Sequence, residues 1–438
     1  MDQTEALIIE TIDRHREEIL EFARDIYSHA ELGYKEFQTS GKFVKKMEQL
    51  GLRTEKGFAI TGVKAYLNKD KKENASLALL GELDALRIPE HAFANPETNA
   101  AHCCGHHAQM AGVFGAALAL TVPEIAEKLD GQVVFFATPA EEYGEIEFKN
   151  QLREQGKIRS GGGKCELLRI GAFDDIDLCL THHIRPGNEI LVGSGTGNGF
   201  VSKVIRVLGK ASHAAGAPEK GVNALSAASL GLQALGLNRE TFRDEDCVRV
   251  HPIITKGGNL VNVIPDEVVV ETLVRGKTIE AFTDAAKKTD RSFKAGAIAM
   301  GAKVEISTLP GYLPTLAEEA LPELKHAAEI SASGIPVIEA SGHAGGSTDV
   351  GDVQHLMPVY TFNTGGVKGG LHQIDFEVTD EEEAYIVTAK MFALAAYGLL
   401  KEKAQRSREL VDQYEPVFKN SAEYVEFMEQ FDSKEIFE

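Results

Sequence analysis

Five short clusters in this 438-residue chain carry residue types that do chemistry. His102-Cys103-Cys104-Gly105-His106-His107 places five cysteines and histidines within six residues. Thiolate and imidazole together suit Zn, Co, Mn or Ni, and the glycine lets the backbone turn tightly between donors. The bland alternative is a buried cysteine at a helix start with solvated histidines around it. Ala137-Thr-Pro-Ala-Glu141-Glu142-Tyr143 follows an apolar run, and its adjacent carboxylates can divide labour, one binding a cation and one holding a proton. Alone it reads equally well as an acidic helix start favoured by the dipole. Gly81-Glu82-Leu-Asp84-Ala-Leu86 ends a strand with two acids that alternate and so share a side, although a strand ending in acids is commonly just meeting solvent. Leu180-Thr-His182-His183-Ile-Arg-Pro186 and Gly365-Gly-Val-Lys-Gly-Gly-Leu-His372 add histidines that taken singly would pass as structural. Cys, His, Glu, His and His in order at strand ends and loops make one assembled metal site the better reading.

The elements that must position these clusters follow from hydrophobic period. Helical patterns run from about Ile12 to Tyr27, Gly41 to Leu50 and Met110 to Leu120, and strand-like runs cover Gly62 to Leu67, Leu77 to Leu80, Val133 to Ala137 and Asp177 to Thr181. This alternation predicts an α/β domain with a mostly parallel sheet flanked by helices, where ligands gather beyond the carboxyl ends of strands. Gly193-Ser-Gly-Thr-Gly-Asn-Gly199 lacks the spacing of a nucleotide loop and reads as a hinge. Beyond it the pattern is strand, helix, strand, strand, helix, strand, the ferredoxin-like order of a small α+β domain. Pro310, Gly311 and Pro314 mark a second linker. The expected division is a catalytic domain in two parts, 1–196 and 314–438, interrupted by an inserted lid and dimerisation domain, 197–313.

Composition narrows the function classes. A formal charge of −20 argues against nucleic acid as a partner. Met110 to Val122, the longest uncharged apolar stretch, is too short to cross a bilayer, and the acidic N-terminus does not resemble a signal peptide. A soluble, cytoplasmic protein without a membrane partner is expected. Five cysteines are odd in number and too few for a disulfide framework, so they read as reduced thiols. No Gly-x-Ser-x-Gly elbow is present to support a serine hydrolase.

With these residues in view, the chain resembles the aminoacylase and carboxypeptidase G superfamily of dinuclear metallopeptidases, the M-20 peptidase family. The likeness is to the branch of hippurate, indole-acetyl-amino-acid and aminobenzoyl-glutamate hydrolases. It rests on His29-Ala-Glu-Leu-Gly33, the five clusters, Gly209-Lys-Ala-Ser-His-Ala214 and Asn259-Leu-Val-Asn-Val-Ile-Pro265. Gly346-Ser-Thr-Asp-Val-Gly-Asp352 looks closest to the aminobenzoyl-glutamate hydrolases. The resemblance implies two divalent metal ions (Zn, Mn, Co or Ni) held by Cys104, His106, Glu142, His183 and His372. His183 is preferred to His182 because the family spaces its histidine two residues before a proline, here Pro186. It further implies Glu141 as general base, Asp84 as a supporting acid, and His213 as a lid residue reaching an active site, that of the partner subunit in a homodimer. Asn223, Asn262 and Arg275 occupy lid positions that in the family contact substrate or neighbouring protein, with Arg275 suited to a substrate carboxylate or, more blandly, to a surface ion pair.

The implied activity is hydrolysis of the amide bond of an N-acyl amino acid, aminobenzoyl-glutamate-like or related, by water activated at the metal pair. A dipeptidase or aminopeptidase on the same fold is the first alternative. A degenerate metal-binding relative is the second, motivated by His107 and Gln109 where the branch carries Asp and His, and opposed by retention of both Glu141 and Glu142. Cys103 stands where a small residue is common, and Glu82 where relatives carry Asp or a ligating His.

Overall fold

The computed structural model describes residues 1–438. It divides into two compact units, one of Met1–Gly195, Leu316–Gly342 and Asp352–Ser421, the other of Thr196–Thr315, His343–Gly351 and Ala422–Glu438.

The first unit opens with a reciprocal cap: the Asp2 carboxylate accepts the Glu5 N–H at 2.8 Å, and Glu5 accepts the Asp2 N–H at 2.7 Å. One helix was expected around Ile12 to Tyr27. The chain instead forms Gln3–Arg14 and Arg16–Ser28, broken at His15 (φ −95°, ψ 13°). The break lets Ile8 and Ile12 on one piece and Ile19 and Leu20 on the other all reach the same core.

The sheet of this unit has eight strands in the order Arg53–Phe58, Gly62–Leu67, Gln132–Thr138, Ser76–Glu82, Leu178–Ile184, Val359–Thr364, Ile190–Val192, Val337–Glu339. The central four are mutually parallel, and the hairpin at one edge is antiparallel. Ser76–Glu82 and Gln132–Thr138 are buried along their whole length, as strands covered on both faces must be. His106–Leu120, every residue of it buried, covers the sheet and packs against Thr388–Gln413. The segment Glu382–Gln413 is long and apolar enough to span a bilayer by composition alone, yet 89% of its apolar window is buried within the fold.

In the second unit, Arg249–Val250, Glu267–Gly276, Gly199–Leu208 and Lys303–Tyr312 form an antiparallel sheet in that order, with Ile253–Lys256 also on Glu267–Gly276. With helices Ala224–Asn238 and Ile279–Met300 this is the ferredoxin-like order read from the sequence. Along Glu267–Gly276 burial alternates strictly, so one face meets the helices through Val268, Val270 and Val274.

The sequence reading gave 314–438 wholly to the catalytic domain, and here the structure differs. Ser433–Phe437 adds a strand to the outer edge of Lys303–Tyr312, placing Phe437 opposite Val304 and Glu435 opposite Ile306. That edge would otherwise present a row of unpaired backbone groups. His343–Ala344 likewise pairs with Thr196–Gly197. Both segments belong to the second unit by their pairing.

Candidate metal centre

The site lies in the first unit, where the parallel strands end. Glu82 is the last residue of Ser76–Glu82, and His183 sits in Leu178–Ile184 itself rather than after it as expected. His106 begins its helix, four residues before the expected pattern at Met110. Between Cys104 and His106, Gly105 has φ +86°, and a Cβ there would come 2.0 Å from Ile184 Cγ2. Only glycine permits this turn, which brings both donors to the strand ends.

Cys104 Sγ is 3.3 Å from His183 Nε2 and 3.2 Å from His372 Nε2. His372 Nε2 is 3.1 Å from Glu142 Oε1. Donor atoms of Cys104, His106 and His183 fall within 4.8 Å of one another, as do those of Cys104, Glu142 and His372, and those of Glu82, His106 and Glu141. The first two groups share the cysteine. All five residues implied as ligands are therefore brought together, in two sets joined at one sulfur.

The surroundings aim these donors. His106 Nδ1 is 2.8 Å from the Asp84 carbonyl oxygen and 3.3 Å from Asp84 Oδ1, so Nδ1 carries its proton toward Asp84 and Nε2 faces the centre. His183 Nδ1 is held by the Ile184 carbonyl at 2.8 Å. His372 has φ +62°, and its N–H donates to the Cys103 carbonyl at 2.9 Å, tying the glycine-rich loop to the second cluster. Asp84 is fully buried, and its two oxygens accept the N–H groups of Glu141 at 3.1 Å and Glu142 at 2.9 Å. Ala140, just before them, has φ +51°, and its N–H donates to Glu36 Oε1 at 2.8 Å. Thr61 donates to the other oxygen of Glu36 at 2.7 Å. Three consecutive amides are thus gripped by two buried carboxyl groups.

The donor set fits divalent cations. His106 Nε2 is buried and faces the Glu82 carboxylate, 3.1 Å from Oε2, a buried base and acid that a cation between them would satisfy together. Burial, reinforced by Glu142, pushes the Cys104 thiol well above its ordinary range. Burial and then His106 lower His183. Burial lowers His106 too, but Glu82 and Cys104 outweigh it and carry it well above the ordinary imidazole range. Burial would raise Glu142, yet His372 holds it low. A thiol and imidazoles under such mutual tension are relieved by a positive charge at their common point.

His182 faces the opposite side of its strand: its Nε2 meets Thr364 Oγ1 at 2.8 Å, and its ring lies 4.9 Å from that of Phe362. His107 turns away from the donors onto Tyr27, ring centroids 4.7 Å apart, and Gln109 bonds Glu82 at 2.8 Å. The lid residues sit in the second unit. His213 is exposed, with Nδ1 accepting the Gly216 N–H at 2.9 Å. Asn223 caps Ala224–Asn238, its Oδ1 accepting the Leu225 and Ser226 amides at 2.9 and 3.0 Å; the sequence reading gave it to substrate, and the structure adds this capping use. The Asn262 carbonyl accepts the Ala214 N–H at 3.0 Å. The Arg275 guanidinium lies 5.8 Å over the Phe200 ring. Two residues at the centre were missed, Glu36 and Lys164. The His29–Gly33 motif lies just before Glu36, and Gly161-Gly-Gly163 just before Lys164, but neither pattern names a partner.

Residues 78–397 match the model of Peptidase family M20/M25/M40. The chain is 27% identical over 408 residues to the Xaa-Arg dipeptidase of Mus musculus, covering 90% of this chain and 85% of that one. It is 27% identical over 315 residues to one of the polypeptides of the p-aminobenzoyl-glutamate hydrolase of Escherichia coli strain K12, covering 70% of this chain and 60% of that one. In fold it is similar to a dinuclear metal-binding peptidase of family M20 from Bacillus subtilis, with a TM-score of 0.62, 23% identity, and coverage of 89% of this chain and 99% of that one. The chain belongs to peptidase family M20/M25/M40 and is a metal-dependent hydrolase of amide bonds.

Proposed function

We propose that the chain hydrolyses the amide bond joining an acyl group to a small amino acid, with Cys104, His106, Glu142, His183 and His372 holding two divalent cations. The observation that carries this is the pair of three-donor groups sharing Cys104, with Glu141 at its edge. Held there, two divalent cations supply Lewis acidity, acidifying a water and polarising the scissile carbonyl. Glu141, its Oε2 4.0 Å from His106 Nε2, takes the proton from the attacking water and passes it to the leaving amine. Asp84 fixes the Glu141 and Glu142 amides and the His106 ring, so base and ligands keep one geometry. No acyl-enzyme is required.

Arg275 is our choice for the substrate's carboxylate, with Asn223 and Asn262 as further substrate contacts. We also propose a homodimer through the second unit, in which His213 serves the partner's centre by stabilising the developing oxyanion. The similarity to an Xaa-Arg dipeptidase supports a second reading, a true dipeptide substrate. Purified protein restored with Zn, Mn, Co or Ni and offered acyl-amino acids beside dipeptides separates the two. The first reading expects acyl-amino acids, including aminobenzoyl-glutamate, to turn over faster. Faster cleavage of dipeptides ending in Arg would replace it with the second. In either case Glu141→Gln should bind metal normally and lose at least ~100-fold in turnover; near-normal activity would remove Glu141 from its role.

A further inference from the structure

Glu82 is 3% exposed, and three hydrogen bonds with two residues lock it. Its N–H donates to Gln109 Oε1 at 2.9 Å, its Oε2 accepts from Gln109 Nε2 at 2.8 Å, and its Oε1 accepts from Lys164 Nζ at 2.5 Å. Lys164 is itself fully buried. It is delivered by Gly163, where a Cβ would lie 1.6 Å from the Pro139 carbonyl oxygen, so its helix starts pressed against the turn that carries Glu141. A lysine buried this deeply requires a fixed anion, and a carboxylate buried beside other acids requires a cation.

The free edge of Glu82 faces the metal centre. Its Oε2 is 3.1 Å from His106 Nε2, the nitrogen whose proton-bearing partner Nδ1 is already committed to Asp84. That oxygen and nitrogen pair when the ring is protonated, so the proton between them occupies a place a cation could take. Glu82, His106 and Glu141 converge there, their donor atoms within 4.8 Å of one another. The charges also close. Cys104 as thiolate, Glu82, Asp84, Glu141 and Glu142 bring five formal negative charges into one buried cluster; two divalent cations and Lys164 bring five positive ones.

We propose that Glu82 is a further ligand, donating one oxygen to the cation held by Cys104, His106 and His183, and that Lys164 is the positioning residue that fixes its orientation and balances its charge. This rests on the two-cation reading above. Gln109 then has a purpose in this chain: its amide spans the backbone and side chain of Glu82 and turns the carboxylate toward His106. The competing view is that Lys164 and Glu82 are a self-contained ion pair beside the centre.

Metal binding itself tests this without substrate. The full-length protein, stripped and titrated with Co²⁺ against a chromophoric chelator, yields the number of ions bound, the affinity of each, and visible absorption bands that report the donors around each ion. Glu82→Gln should leave one ion unchanged, weaken the other by roughly 10- to 100-fold, and alter its bands. Because Glu82→Gln strands Lys164, the double variant Glu82→Gln/Lys164→Met, which removes both charges together, secures a folded protein for the same measurement. It should weaken the same ion by a similar factor, since Lys164 acts through Glu82. Two ions bound by these variants with wild-type affinity and bands would overturn the proposal while sparing the two-cation reading. A wild-type protein that binds no ion would instead overturn the two-cation reading.

Discussion

The side chains that grip the turn before Glu141 make a prediction of their own, because one of them holds a proton that solvent would take. Burial, with Asp84 adding to it, raises Glu36 from its usual 4.5 to about 7. Between those values the unfolded chain has released a proton that the folded chain keeps, so Glu36 makes stability fall as pH climbs from 4.5 to about 7, after which its contribution is level. A difference of about 2.5 units at about 1.4 kcal/mol each bounds the effect at about 3.5 kcal/mol. Glu36→Gln keeps an oxygen for the Ala140 N–H and an amide for Thr61, and cannot ionise. Denaturant unfolding of the metal-free wild type and variant should show the variant gaining relative stability between about pH 5 and pH 7.5. Curves that stay parallel across that range would show that Glu36 does not hold its proton. At this scale the convergence of Cys104, His106, Glu142, His183 and His372 was legible because soft and borderline ligand types are rare together in sequence. Glu36 and Lys164 were not, since a carboxylate or an ammonium acquires meaning only from what folding buries beside it.

Among the elements, the turn at Gly105 decides whether two donors from one strand-to-helix connection can meet a third from a neighbouring strand. The sequence announced a glycine between ligands, and the structure adds the reason it cannot be replaced: left-handed backbone and Ile184 against the missing Cβ. Gly51 supplies the comparison, having φ +77° with nothing within 4 Å of an added Cβ. Gly51→Ala should therefore cost only the backbone penalty, roughly 1–2 kcal/mol, and leave metal binding alone. Gly105→Ala should cost more than that in unfolding free energy and also weaken metal binding, because Cys104 and His106 must move when Ile184 is displaced. Equal stability losses with intact metal binding in both variants would refute this account of the turn. Three of the four central parallel strands were legible to within a few residues, since they carry unbroken apolar runs; Val359–Thr364 was not, because Thr361, Asn363 and Thr364 interrupt its apolar pattern. The break at His15 was not legible, because the two apolar stripes it separates look continuous in helical period. Nor was the C-terminal strand, whose alternation in Ser433–Phe437 is too short to stand out until an open edge is there to receive it.

For the whole molecule, the inserted unit raises the question of why the converging thiol, imidazoles and carboxylate of one unit should be accompanied by a second that contributes none of them. Cys104, His106, Glu142, His183 and His372 all belong to the first unit, whereas His213, Asn262 and Arg275 belong to the second. The two-unit division was legible from the change of element order and the two linkers, and what the second unit does for the reaction was not, because no spacing rule links residues in separate folds. His213 is exposed, and its Nδ1 is occupied by the Gly216 amide, which leaves Nε2 as the nitrogen with a proton to donate. If that proton serves the partner's centre, each active site draws its base from one chain and its oxyanion donor from another. Glu141→Gln and His213→Ala homodimers should then each be nearly inactive, while subunit exchange builds mixed dimers that contain one site with both groups intact. Random exchange of equal amounts places about half the molecules in mixed dimers, so activity should return to roughly a quarter of wild type. Inactivity after exchange has been verified by mass would confine His213 to its own chain or remove it from the reaction.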